Sequence, residues 1–134
     1  MTKAWERLYL GCRKDAETLY RDNPHRITTV ISLSEEPVQW RSARVNYLHF
    51  PTTLDAPVSR GQFDSIIDAI YENIRWGTVL VQCAAGAGAA PVIVAAWMHV
   101  VGFKTIDAAL DDIREVRPQI SPSAVLLKSV KEHL

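Results

Sequence analysis

The stretch Val79-Leu80-Val81-Gln82-Cys83-Ala84-Ala85-Gly86-Ala87-Gly88-Ala89-Ala90-Pro91-Val92-Ile93-Val94 decides how the rest of the chain must fold. It opens with a short apolar run rich in β-branched residues, the pattern of a buried strand. It then passes through a loop made only of Gly and Ala, and resumes as an apolar segment of helical length. A strand that feeds a small-residue loop and then a helix N-terminus is a ready anion pocket. The first-turn N–H groups have no partner inside the helix, and the helix dipole adds partial positive charge there. Cys83 stands at the mouth of that pocket, where the same field favours negative charge on sulfur. A nucleophilic sulfur beside a phosphate cradle points to phosphoryl transfer through a cysteine.

Working outward, the chain carries no Asp, Glu, Lys or Arg from Thr78 to Phe103, a run long enough to suggest a membrane span. Gln82, Gly86, Gly88, Pro91 and His99 interrupt it, and the amphipathic segments on both sides need a central element to pack upon. A buried strand and a buried helix in series, with no membrane span, are expected instead.

The segments before and after supply the layers. Leu8-Tyr9-Leu10-Gly11 reads as a short edge strand, Ile27-Thr28-Thr29-Val30-Ile31-Ser32-Leu33 as a central strand, and Val45-Asn46-Tyr47-Leu48-His49-Phe50 as another. A short helix is expected over residues 15–21, stopped by Asn23-Pro24. Ser59 is a good N-cap for a helix over residues 62–76, with Phe63, Ile66, Ile67, Ile70 and Ile74 on its inner face. Gly102 is expected to cap the apolar helix, and Thr105 to open the next, with Ile106, Ala109, Leu110 and Ile113 inward and Arg117-Pro118 at its end. Ser121-Pro122 reads as an N-cap and first helical proline, followed by a helix burying Leu126, Leu127, Val130 and Leu134. The fold class is therefore α/β, with a central, mostly parallel sheet of four to five strands flanked by helices. One domain over residues 1–134 is expected.

Fifteen basic residues balance fifteen acidic ones, which argues against a dedicated nucleic-acid binder. Two cysteines without framework spacing imply reduced thiols and a cytoplasmic setting, and Trp5, Glu6 and Arg7 break any apolar signal core. The four histidines lack ligand spacing, so no metal site is expected. Gly86-Ala87-Gly88-Ala89-Ala90-Pro91 matches the dinucleotide fingerprint only in part, because proline holds the place of the third glycine; no cofactor is expected.

With these residues in hand, the chain resembles the small cysteine-dependent phosphatases of the dual-specificity type over nearly its full length. That family carries a strand, His-Cys, five residues, Arg and Ser or Thr, then a helix. Cys83 falls at the nucleophile position, and Gly86 and Gly88 at loop positions where glycine is common. Leu8-Tyr9-Leu10-Gly11 is similar to the family's opening strand and Thr29-Val30-Ile31-Ser32-Leu33 to its next. Asp55, on a loop framed by Pro51 and Pro57, matches the general-acid aspartate. Residues 108–118 and Ser121-Pro122-Ser123 resemble the closing helices, and Ala90-Pro91 is similar to the Ala-Pro of the regenerating-liver phosphatases. The resemblance implies a phosphomonoester hydrolase working through phosphocysteine, with residues 84–89 (Ala84, Ala85, Gly86, Ala87, Gly88, Ala89) binding phosphate and Cys83 and Asp55 carrying the chemistry. It implies a phosphorylated protein or small phosphomonoester as substrate, since the loop lacks the lysines of related lipid phosphatases.

Three positions depart from the pattern. Gln82 replaces the usual histidine, and Ala90 replaces the hydroxyl residue that helps sulfur leave. Ala89 replaces the arginine whose planar fork grips two phosphate oxygens. By analogy with arginine fingers, that last change should cost roughly 10³–10⁵ in rate. The expectation is a phosphatase scaffold that is inactive or severely impaired. It is either a natural pseudophosphatase, binding phosphorylated partners or scaffolding others, or an enzyme disabled by an arginine-to-alanine change. Retention of both Cys83 and Asp55 favours the second.

Overall fold

A computed structural model of the chain describes residues 1–53 and 56–134. The sheet has five strands in the order β1-β2-β5-β3-β4: β1 Thr2–Trp5, β2 Leu8–Cys12, β3 Ile27–Ser32, β4 Asn46–His49 and β5 Thr78–Cys83. The β1–β2 pair is antiparallel and the other three pairings are parallel. This is the mostly parallel, helix-flanked sheet expected from the alternation of strand and helix signals.

β5 lies in the middle, between β2 and β3, and is buried on both faces, as its unbroken apolar run requires. Period-two alternation splits its side chains between two cores. Val79, Val81 and Cys83 pack with Leu8, Leu10 and Ile31 against the large helical layer, whereas Leu80 packs on the other face with Ala16, Leu19, Val30 and Val38. The large layer holds α2 Arg60–Ile74, α3 Ala89–Gly102, α4 Ile106–Val116 and α5 Ala124–His133. α3 is buried from Ala89 through Met98, which explains its lack of charge without a membrane. No helix among the described residues is long and apolar enough to cross one.

Ser59 caps α2 by accepting the Gln62 N–H at 3.1 Å, and Thr105 caps α4 by accepting that of Ala108 at 3.1 Å, both at the positions read from the sequence. Five details differ. β1, absent from the sequence reading, pairs with β2, so β2 is an interior strand and not an edge. α1 spans Arg13–Glu17 rather than residues 15–21, because Asp15 sits at its third position and its carboxylate accepts the Cys12 N–H at 3.0 Å. Gly102 ends α3 but is not the left-handed cap, which is Phe103 at φ 57°. The indole of Trp5 packs closely against Gly102, its tip 2.9 Å from where a Cβ would stand. Finally, Ser123 rather than Ser121 caps α5, accepting the Leu126 N–H at 3.3 Å. Leu134 is exposed rather than buried.

Candidate active site

The C-terminal ends of four parallel strands converge on one cavity, where open α/β sheets usually place their ligands. The cavity measures about 380 Å³. Arg13 enters it after β2, Leu33 to Glu36 after β3, Thr52 and Thr53 after β4, and Cys83 with Ala84, Ala85, Gly88 and Ala89 after β5. Its volume is in the ordinary range for a small-molecule site, roughly 300–1,000 Å³.

Cys83 is the last residue of β5 and is only 6% exposed. Its Sγ accepts the backbone N–H of Ala90, in the first turn of α3, at 3.4 Å. The sulfur is thus aimed at the start of the helix, as the strand–loop–helix order requires. Both cysteines are free thiols.

The loop between Cys83 and α3 is held from outside by its carbonyl groups. Ala84 O accepts from the Arg13 N–H at 3.3 Å, Ala87 O from the Ser121 N–H at 2.8 Å and Gly88 O from the Ser123 N–H at 3.3 Å. Gly86 O accepts from Nε of the buried Arg117 at 3.2 Å, and the Arg117 Nη1 continues to Thr2 Oγ1 at 2.8 Å. A trans peptide group points its N–H opposite to its C=O, and no peptide bond among the described residues is cis. With four carbonyls turned outward, the N–H groups of Ala85, Ala87, Gly88 and Ala89 point to the other side of the loop. Such a ring of amides suits an oxyanion. Gly86, at φ 69°, makes the turn possible, and its N–H closes it by donating to Cys83 O at 3.2 Å.

Gln82 is fully buried one residue before the cysteine. Its Nε2 reaches Ser34 Oγ at 3.4 Å, and Ser34 O in turn contacts Nε2 of His49 at 2.8 Å. The glutamine therefore ties the base of the loop to the turn after β3, which is itself held to the end of β4. Ala89, at the arginine position of the resemblance, is 2% exposed and lines the cavity with a single methyl group.

Asp55 lies outside the described residues; Thr52 and Thr53, which precede it, line the cavity. Arg13, Ser34, Thr52 and Arg117 were not singled out from the sequence. Each comes from a different element: the strand order brings Arg13, Ser34 and Thr52 to the cavity, and the end of α4 brings Arg117 to the loop. Among the described residues no group of three or more His, Cys, Asp or Glu could hold a metal ion.

Known proteins place this geometry. The family model for the dual specificity phosphatase catalytic domain matches residues 8–134. Human dual specificity protein phosphatase 15 is 32% identical over 129 residues, covering 93% of this chain and 43% of the human protein. The chain spans about half the length of the curated relatives it matches. The crystal structure of DUSP15 superimposes with a TM-score of 0.87 at 30% identity, covering 98% of this chain and 85% of that one. The fold is shared also with human tyrosine phosphatase-like serine/threonine/tyrosine-interacting protein, at a TM-score of 0.82 and 23% identity, covering 99% of this chain and 94% of that one. A match that runs through every strand and helix from β2 onward makes this chain a member of the dual specificity phosphatase family.

Proposed function

We propose that the chain is a cysteine-type phosphomonoesterase scaffold that still takes a phosphate ester into its loop but turns it over poorly, because Ala89 stands where the family has arginine. The observation that carries this is the loop itself: four outward carbonyls, inward amides, and a buried sulfur accepting an N–H at the start of α3. In this chemistry the Cys83 sulfur attacks phosphorus, forming the S–P bond as the ester P–O bond breaks, while the amides hold the equatorial oxygens. Asp55 gives its proton to the leaving oxygen, then takes one from the water that cleaves phosphocysteine to phosphate and free thiol. Its neighbours Thr52 and Thr53 on the cavity wall support that assignment. Arginine at 89 would clamp two phosphate oxygens as charge redistributes; alanine leaves that work to dipoles alone.

Substrates of this kind are phosphoproteins or small phosphomonoesters. Two free thiols fit a reducing, cytoplasmic setting. The test is Ala89→Arg assayed with p-nitrophenyl phosphate. The expected gain in kcat/KM is about 10³-fold or more. A revertant that stays inert while iodoacetamide still alkylates Cys83 would overturn the proposal.

One observation favours a second role, binding without turnover. The amide ring and its anchors persist although both Ala89 and Ala90 depart from the family pattern. A neighbour on the same fold is described as phosphatase-like and interacting. Binding of a phosphopeptide by the unaltered chain without release of phosphate is the outcome expected for that role.

A further inference from the structure

We propose that Arg13 supplies the cation of this phosphate pocket, gripping the oxyanion from the β2 side of the loop in place of the arginine that Ala89 replaces. The inference rests on the phosphate-binding role proposed above and adds a substrate-binding residue to it. The β2–β5 register pairs Cys12 with Cys83, so residue 13 follows directly onto the start of the loop. The Arg13 N–H fixes Ala84 O at 3.3 Å, and the side chain lines the same cavity as Cys83, Ala85 and Ala89. Among the described residues lining that cavity it alone carries positive charge; Glu35 and Glu36 are acidic. Without it, a phosphate dianion would meet only amide dipoles beside two carboxylates.

The guanidinium is loosely held. Its Nη1 donates to Glu36 Oε2 at 3.4 Å and its Nη2 to Pro37 O at 3.3 Å, both long contacts for charged donors. The Glu36 side chain is 72% exposed, so water can take over its carboxylate when the arginine leaves. The Arg13 Nε is buried with no hydrogen-bond partner. A buried donor without an acceptor is costly and uncommon. The planar fork, whose two amino groups make only these long contacts at the cavity wall, has the geometry to match two oxygens of a phosphate group. Because the guanidinium arrives from β2 and not from the loop, it binds and orients the ester without the in-line grip that an arginine at 89 would give. Tight binding with weak turnover is the result.

Tungstate titration by calorimetry tests this. Arg13→Ala is expected to raise Kd by about tenfold or more, Arg13→Lys by about threefold, and Glu36→Gln to lower it by about twofold. Arg60→Ala, which removes an exposed arginine paired with Asp64 on α2, should leave Kd unchanged and so rules out a bulk charge effect. In the Ala89→Arg background the penalty of Arg13→Ala should shrink, since two cations then share one anion. A tungstate Kd within roughly twofold of wild type for Arg13→Ala would overturn the role of Arg13 while leaving the loop intact. A wild-type chain that takes up no tungstate would instead overturn the phosphate-binding proposal itself.

Discussion

Gly86 carries the sharpest constraint on the loop. At φ 69° an L side chain is strained by about 1 kcal/mol or more. A Cβ there would also stand 2.7 Å from the Gly11 carbonyl carbon and 2.8 Å from its oxygen, which are backbone atoms and cannot swing aside. Gly86→Ala is therefore expected to lower stability by about 2 kcal/mol or more in urea unfolding and to weaken tungstate binding. Asp15 sits close by, under the start of α1. Burial alone would raise its pKa, but the Cys12 N–H, the Met1 ammonium and the Cys12 thiol outweigh that and hold it below the usual carboxylate value. A depressed folded pKa stabilises the fold above the unfolded pKa, and this contribution is lost as pH falls through the folded value. Asp15→Asn should thus cost about 1 kcal/mol at pH 7, with the difference from wild type shrinking below about pH 4 in denaturant titrations at stepped pH.

α4 does more than cover α3, because its C-cap residue Arg117 reaches under the loop. Its guanidinium bridges Gly86 O and Thr2 Oγ1, tying β1, the loop and α4 together. Arg117→Met keeps the bulk but leaves a buried carbonyl unpaired, which should cost about 2 kcal/mol in thermal or urea unfolding and weaken tungstate binding with it. Arg117→Lys should not restore the loss, since one ammonium cannot reproduce two diverging donors. The same residue shows where sequence reading stopped. β5, the loop and α3 were legible because strand, glycines and helix are contiguous, and each signal lies within one segment. Ser59 and Thr105 were legible as caps for the same reason. β1 was not: Thr2-Lys3-Ala4-Trp5 has little pattern of its own, and its pairing with Leu8 to Leu10 is a tertiary fact. Arg13 carries no signal of its own in the sequence, and Arg117 marks only the end of a helix before Pro118. The parallel pairing of β2 with β5 carries Arg13 to the cavity wall, and the end of α4 carries Arg117 beneath the loop.

Across the whole molecule, the loop is the point where separate elements are joined. Its carbonyls accept from α1, from α4's end and from the segment leading into α5, while its flanks are a strand and a helix that are both largely buried. An anion seated there cannot bind a partly opened loop, because loss of any anchor turns an amide away. Binding should therefore be linked to global unfolding and not to a local transition. At a free tungstate concentration of about 100 times Kd, linkage predicts about 2.7 kcal/mol of added stability. For a chain of this size that corresponds to a Tm higher by roughly 8–12 °C. Differential scanning calorimetry of wild type with and without tungstate checks this, with Gly86→Ala and Arg117→Met expected to show a smaller shift at the same concentration. A wild-type shift accompanied by a second, unshifted transition would mean that the loop opens independently of the sheet. The anchors would then be local restraints, and the coupling argued from Arg13, Arg117, Ser121 and Ser123 would fail.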